Sequence, residues 1–369
     1  MLFDNKTKGI INMNEIFLYR FSTDTQTNKI QKNIKKLIDQ IELESIVNKF
    51  DLCAVKLHIG EKGLKTYVNP DWVEPIVRKI KAVGAKPFLT DTNVLYKSQR
   101  DNAIDHLELA KEHGFNLERT GASMIIADGI AGKNETDIII NSPLNKKVAL
   151  ATEIVNANSV IVVTHVTGHL GTGFGATMKN MGMGMASRKG KLVQHSSSKP
   201  EINRNKCTGC GVCFNWCPVD AISMPQGLAK IDQNKCIGCG ECIAMCRFDA
   251  VNFKWDNSSE DLQKQIVEHA YGIVKQKKDN IGYLSFLVNM TKDCDCLKQK
   301  PHKVIDDIGV IAGKDPVAMD QAALDLTRQN SDKNISQTAY PGINSEILIE
   351  YAEEIGVGSS KYKLIEINE

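Results

Sequence analysis

No apolar run in the chain approaches the roughly 20 residues that span a bilayer, so no membrane partner is expected. Neither sign of charge is in excess. The 46 Lys and Arg residues face 44 Asp and Glu, a formal net charge of +2. Without a basic surplus, nucleic acid is a poor candidate partner. The opening MLFDNKTKGIIN lacks the apolar core of a secretory signal and reads as a polar lead-in, with Met13 as an alternative start to Met1. The remaining composition, 42% hydrophobic and 24% charged, is that of a globular chain with a sizeable core.

Cysteine is plentiful, and it is clustered. Eight of the 11 cysteines fall between Cys207 and Cys246. That grouping points to metal ligation and not to a disulfide framework. Thiolate ligands must stay reduced, so a cytoplasmic location is expected.

Outside the cysteine segment, strand-like and helix-like pieces alternate. EIFLYRF (15–21), LCAVKLHI (52–59), KPFLTD (86–91), SMIIAD (123–128), DIII (137–140) and SVIVVTH (159–165) read as strands. Ile30, Ile34, Leu37, Ile38 and Ile41 recur at helical spacing, and Asp71 with Glu74 resembles a capping box. After Trp255 the pattern returns with a helix at about 259–276, strands at 281–289 and 308–313, and a helix opened by Asp315 and Pro316. A helix near 343–355 and the strand KYKLIEI close the chain. This predicts an α/β fold, a largely parallel or mixed sheet flanked by helices. The expected organisation is an α/β core over 13–199 and 256–369, interrupted by a small α+β module over 200–255.

The module carries CTGCGVCFNWCP (207–218) and, 29 residues later, CIGCGECIAMCR (236–247). This C-x2-C-x2-C-x3-C run is that of bacterial two-[4Fe–4S] ferredoxins, in which the fourth cysteine of each motif serves the other cluster. One cluster is expected on Cys207, Cys210, Cys213 and Cys246, and the other on Cys236, Cys239, Cys242 and Cys217. The competing reading of paired C-x2-C motifs is zinc. Arg247 stands where the second motif would carry proline, and a cation there is expected to raise the potential of the cluster that Cys246 ligates.

Several polar residues fall at predicted strand ends, where ligands bind in open α/β sheets. They include His58, Asp91, Asp128 and His165. His165 and His169 can face one metal if the chain between them turns helically, with His195 as a third imidazole. Gly171, Gly173 and Gly175 look like a loop entering a helix, where free N–H groups hold an anion and Lys179 adds charge. The bland alternative is a tight loop whose glycines allow close packing. Cys294 and Cys296 form C-x-C, read as catalytic thiols, ligands to a further metal, or inert core residues, whereas Cys53 reads as core.

The segments KLHIGEKG, DTNVLY, IIADG, HVTGHLGTGFGATMKNMGMG, NMTKDCDC and DIGVIAGKDPVAMDQAALDL resemble an uncharacterised iron–sulfur-centre family, domain of unknown function 362. The resemblance covers nearly all of the chain after Met13 and implies a frequent ferredoxin insert, without an assigned reaction. The stretch HVTGHLGTGFGATMKN is also faintly similar to the glycine-rich histidine segment of nickel-dependent lactate racemases, a likeness too short to bring that family's cofactor or activity with it.

The expected function is a ferredoxin-type-dependent reductase of unknown substrate, drawing electrons through two [4Fe–4S] clusters to a strand-end site. Its expected chemistry-bearing residues are His58, His165, His169, Lys179, Cys294 and Cys296. A redox partner protein and a small-molecule substrate follow from that reading. The alternative is a non-catalytic electron carrier or an assembly partner for a metalloenzyme.

Overall fold

The computed structural model describes residues 13–195, 199–217, 219–236, 241–248, 250–253, 259–296 and 300–367. Its centre is an eight-stranded sheet of β1 (Asn14–Arg20), β2 (Leu52–Lys56), β3 (Lys86–Asp91), β4 (Met124–Ile126), β5 (Ser159–His165), β6 (Ile281–Leu287), β7 (Gly309–Gly313) and β8 (Tyr362–Glu366). The strand order is β8-β1-β7-β6-β5-β2-β3-β4. Only β7 runs antiparallel to both of its neighbours, and every other pairing is parallel. The fold is therefore mixed α/β with a largely parallel sheet, as the alternation of segments indicates.

Helices cover both faces of the sheet, so its strands must be apolar on both sides. Strand β5 shows the consequence. Val160 and Val162 point into one core, and Ile161 and Val163 into the other. Helices α1 (Thr27–Gln40), α2 (Pro70–Val83) and α3 (Ala103–Glu112) pack on one face through Ile34, Ile76 and Leu109. The other face is covered by α4 (Thr177–Gly182), α6 (Ser259–Lys277) and α7 (Pro316–Ser331), with α5 (Arg188–Gln194) beside them.

Some local readings need correction. Helix α2 is capped by Asn69, whose side chain accepts from the Asp71 N–H, with Pro70 at the first helical position. Asp71 instead pairs with Arg119, so the predicted capping box does not form. DIII belongs to a separate hairpin, Glu135–Ile139 against Lys147–Ala151, outside the central sheet. Strand β2 stops at Lys56, two residues short of His58. The cap of α7 is as read: Asp315 accepts from the N–H groups of Val317 and Ala318.

Strands from before and after the cysteine-rich segment share the one sheet, and β5 pairs directly with β6. Between them, Pro200–Ile202 pairs antiparallel with Val251–Phe253, and a second short ladder joins Ile222–Ser223 to Lys230–Ile231. This segment has its own small hydrophobic cluster around Ile222, Ile231, Cys242 and Val251. It touches the core domain where Lys133 Nζ lies 3.9 Å from the centre of the Trp216 ring. Among the described residues, no helix is long and apolar enough to cross a membrane.

Candidate functional site

Parallel strands β2, β3, β5 and β6 end on the same side of the sheet, and polar residues converge beyond those ends. Lys56 closes β2 as a fully buried cation. Its Nζ donates to Asn180 Oδ1 (2.8 Å) and the Leu57 carbonyl (2.9 Å), and lies 3.1 Å from Asp91 Oδ1. Asp91 closes β3. Burial opposes its charge, but the Lys56 ammonium at 3.1 Å leads the effects that hold its carboxyl well below the usual range. Arg100 enters from a loop and pairs with Glu61 at 2.6 Å. It also donates to His58 Nε2 at 3.0 Å. The Gly60 N–H donates to the other ring nitrogen, Nδ1, at 3.0 Å, so donors face both edges of the ring. Burial first, then the Arg100 charge, keeps the His58 ring neutral.

His165, the last residue of β5, is built differently. Its Nδ1 donates to Asp295 Oδ2 at 2.6 Å, and its Nε2 donates to the Val288 carbonyl at 2.8 Å. A ring that donates from both nitrogens is an imidazolium. Burial works against that charge, yet Asp295 and the Val288 carbonyl together raise the pKa. Asp295 takes a second bond from Thr66 Oγ1 at 2.6 Å, and despite burial its carboxyl is pulled down to about 2, chiefly by His165. With both nitrogens committed, His165 has no lone pair for a metal. In this hydrogen-bonding arrangement His165 offers no free nitrogen to the ion it was expected to share with His169.

His169 faces Cys294 and Cys296 instead. One ligand atom from each of the three lies within 4.8 Å of the others, a group able to hold a metal ion. The two cysteines are paired as a disulfide, so neither is a free thiol in this structure. Glycine explains how His169 gets there. A Cβ on Gly168 would stand 2.0 Å from the Lys292 carbonyl oxygen, so only a bare backbone lets this segment lie against the 291–296 loop. The Gly168 N–H donates to the Thr291 carbonyl at 2.8 Å and fixes the approach. His169 and the β-ladder partners Gly173 and Gly175 form a small hairpin between Thr167–His169 and Gly173–Gly175.

The glycine loop does not open onto free helix N–H groups. The N–H groups of Thr177 and Met178 both donate to the Asp320 carboxylate, at 2.7 and 3.0 Å. A buried acid of the protein itself occupies the position predicted for a bound anion beyond Gly171, Gly173 and Gly175. Lys179, one turn on, keeps its ammonium without a hydrogen bond or ion pair among the described residues. Burial lowers its pKa to about 8, with Asp295 opposing that shift and Arg100 and Lys56 adding to it. His195 follows α5 and is near enough to Lys179 for burial and that charge to lower its pKa to about 4. Lys179 and His195 also reinforce the burial that keeps His169 neutral.

In the cysteine-rich segment, one cavity is lined by Cys207, Cys210, Cys213 and Cys246. This is the four-residue set that the crossed ferredoxin spacing nominates. Burial raises the Cys213 thiol, the Phe214 N–H opposes it, and the neighbouring Cys207, Cys210 and Cys246 raise it further. Cys217, Cys236 and Cys242 lie together around the same small core, and Cys239 lies outside the described residues. The fourth cysteine of each motif accepts an N–H four residues on: Ala221 to Cys217 Sγ at 3.2 Å, and Ala250 to Cys246 Sγ at 3.3 Å. Arg247 is exposed. Cys53 is core, its thiol pushed up to about 12 by burial.

The reading of sequence alone missed Lys56, Glu61, Tyr96, Arg100 and Asp320. Lys56 had a signal, a lysine inside the apolar run LCAVKLHI, and Asp320 sits on the apolar face of its helix. Arg100 lies in a polar loop with nothing local to mark it.

A protein-family model described as Domain of unknown function (DUF362) matches residues 53–325. No curated protein matches the chain. Among solved structures, a lactate racemase apoprotein from Thermoanaerobacterium thermosaccharolyticum is similar at 13% identity, with a TM-score of 0.39 over 74% of this chain and 50% of that one. A protein from Thermotoga maritima is similar at 9% identity, with a TM-score of 0.40 over 89% of this chain and 59% of that one. The chain thus spans 50% and 59% of the two structures it matches.

Proposed function

The chain belongs to that family of unknown function, and on this premise we propose that it is an iron–sulfur protein serving reduction at the strand-end site. Cys207, Cys210, Cys213 and Cys246 would hold one [4Fe–4S] cluster, and Cys217, Cys236, Cys239 and Cys242 the second. The observation that carries the reading is the cavity lined by the first of these sets, brought together from both motifs. The N–H groups aimed at Cys217 and Cys246 sulfurs suit anionic thiolates. When bound, such clusters supply single electrons at low potential.

A reduction also needs protons and a place for negative charge, and the core domain offers both. The Lys179 ammonium, with a pKa of about 8, is poised to give up a proton near neutral pH. Unpaired among the described residues, it is also a cation against which an anionic group or a developing oxyanion would rest. The carboxylate of the His165–Asp295 pair acts on this ammonium and favours its charged form. His58, neutral and oriented by Arg100, completes the polar wall. The test is anaerobic purification followed by iron and acid-labile sulfide analysis. About eight of each per chain supports the reading. Zinc in place of iron removes it.

A further inference from the structure

We propose that His169, Cys294 and Cys296 form a thiol-gated metal site, closed while the cysteines are a disulfide and open to one divalent transition ion once they are reduced. The site is separate from the eight cysteines of the module and does not depend on their cargo.

The three side chains converge from two distant parts of the chain, with ligand atoms within 4.8 Å of one another. His169 and Cys294 are buried, at 8% and 7% exposure, and Cys296 is half-buried. The imidazole is already oriented. Its Nδ1 lies 2.8 Å from Thr172 Oγ1, whose hydroxyl donates onward to the Phe174 carbonyl at 2.7 Å. The Gly171 N–H donates to the same Nδ1 at 3.2 Å, so two neighbours of the hairpin hold the ring in place.

The described part of the cysteine loop is held at three points. Tyr340 donates to Asp293, Tyr96 donates to the Cys296 carbonyl at 2.6 Å, and the Glu61 N–H donates to the Asp295 carbonyl at 3.0 Å. Asp295, between the two cysteines, is excluded as a ligand because its carboxylate is taken by His165 and Thr66. Two thiolates and one imidazole select borderline-soft ions such as zinc. Three protein ligands leave a fourth position for water or substrate, the pattern of catalytic and not structural zinc. The two thiolate charges cancel those of the ion, so the site tolerates the nearby Lys179 ammonium.

The chemistry balances with a dithiol as reductant. Its two thiols pass two electrons and two protons to the Cys294–Cys296 bond, giving two cysteine thiols and the oxidised cyclic disulfide of the reductant. Metal binding then displaces the two cysteine protons.

The experiment uses the full, cluster-loaded chain under anaerobic conditions. Samples with and without dithiothreitol treatment are desalted, exposed to Zn2+ alone, desalted again and analysed for zinc and iron. The expected result is about one extra zinc per chain only after reduction, with a zinc X-ray absorption first shell of sulfur at about 2.3 Å and nitrogen at about 2.0 Å. Both His169→Ala and the Cys294→Ser/Cys296→Ser double variant should lose that zinc and keep their iron. Uptake independent of reduction, no uptake at all, or an all-sulfur shell overturns the proposal. The wild-type absorption spectrum decides the matter even if a variant does not fold. Iron counted in the same samples keeps failure of the cluster reading distinct from failure of this site.

Discussion

His165 and Asp295 meet at 2.6 Å in a buried ion pair that ties the end of β5 to the loop after β6. The two shifts have opposite directions and define a window. His165 has a raised pKa, so its contribution is full below its ordinary value of 6.5 and is lost as pH rises through the folded value. Asp295 has a depressed pKa, so its contribution is full above its ordinary value of 3.8 and is lost as pH falls through about 2. Stability from the pair is therefore greatest between these ordinary values. Removing one partner of a buried pair costs about 3–5 kcal/mol. Asp295→Asn should lose about that much at pH 6 and flatten the stability profile above neutrality, measured by urea unfolding across pH.

Gly168 should not tolerate a side chain. Its Cβ would meet the Lys292 carbonyl oxygen at 2.0 Å and Ala339 Cβ at 2.5 Å, and one of those contacts is backbone. Gly168→Ala is expected to cost about 1–3 kcal/mol, the usual range for forced overpacking. It should also separate His169 from the cysteine pair. Thermal unfolding reads the first effect, and loss of reduction-dependent zinc uptake reads the second.

Serine substitutions should sort the cysteines by role. Cys210→Ser removes one ligand from the first set and should abolish one of two iron–sulfur electron paramagnetic resonance signals, leaving the other. Cys53→Ser should leave iron content unchanged, since that buried thiol belongs to the core. An equal loss of iron in both variants would contradict this division.

The sheet was legible because each strand must be apolar on both faces and each helix on one, and the β3 and β5 segments begin and end where the sequence pattern puts them. The grouping of Cys207, Cys210, Cys213 and Cys246 around one cavity was legible because cysteine spacing is largely a local property of the chain. The strand-end site was only half visible. His58, His165 and His169 could be named, but their partners could not, because Arg100, Asp295 and Cys294 reach them from remote loops. The anion loop was misread for a similar reason. The carboxylate that satisfies Thr177 and Met178 comes from Asp320, 143 and 142 residues away.

The proposed path of electrons from the cysteine-rich segment to the strand-end site is tested most directly with the Cys294–Cys296 disulfide as reporter. The anaerobic, cluster-loaded chain is photoreduced and quenched with an alkylating reagent, and alkylation of these two cysteines is followed by mass spectrometry. The account predicts that both become alkylated in the wild type and remain largely protected in a Cys210→Ser/Cys239→Ser variant. A disulfide that stays oxidised while the clusters reduce, or that opens equally in both proteins, would contradict it.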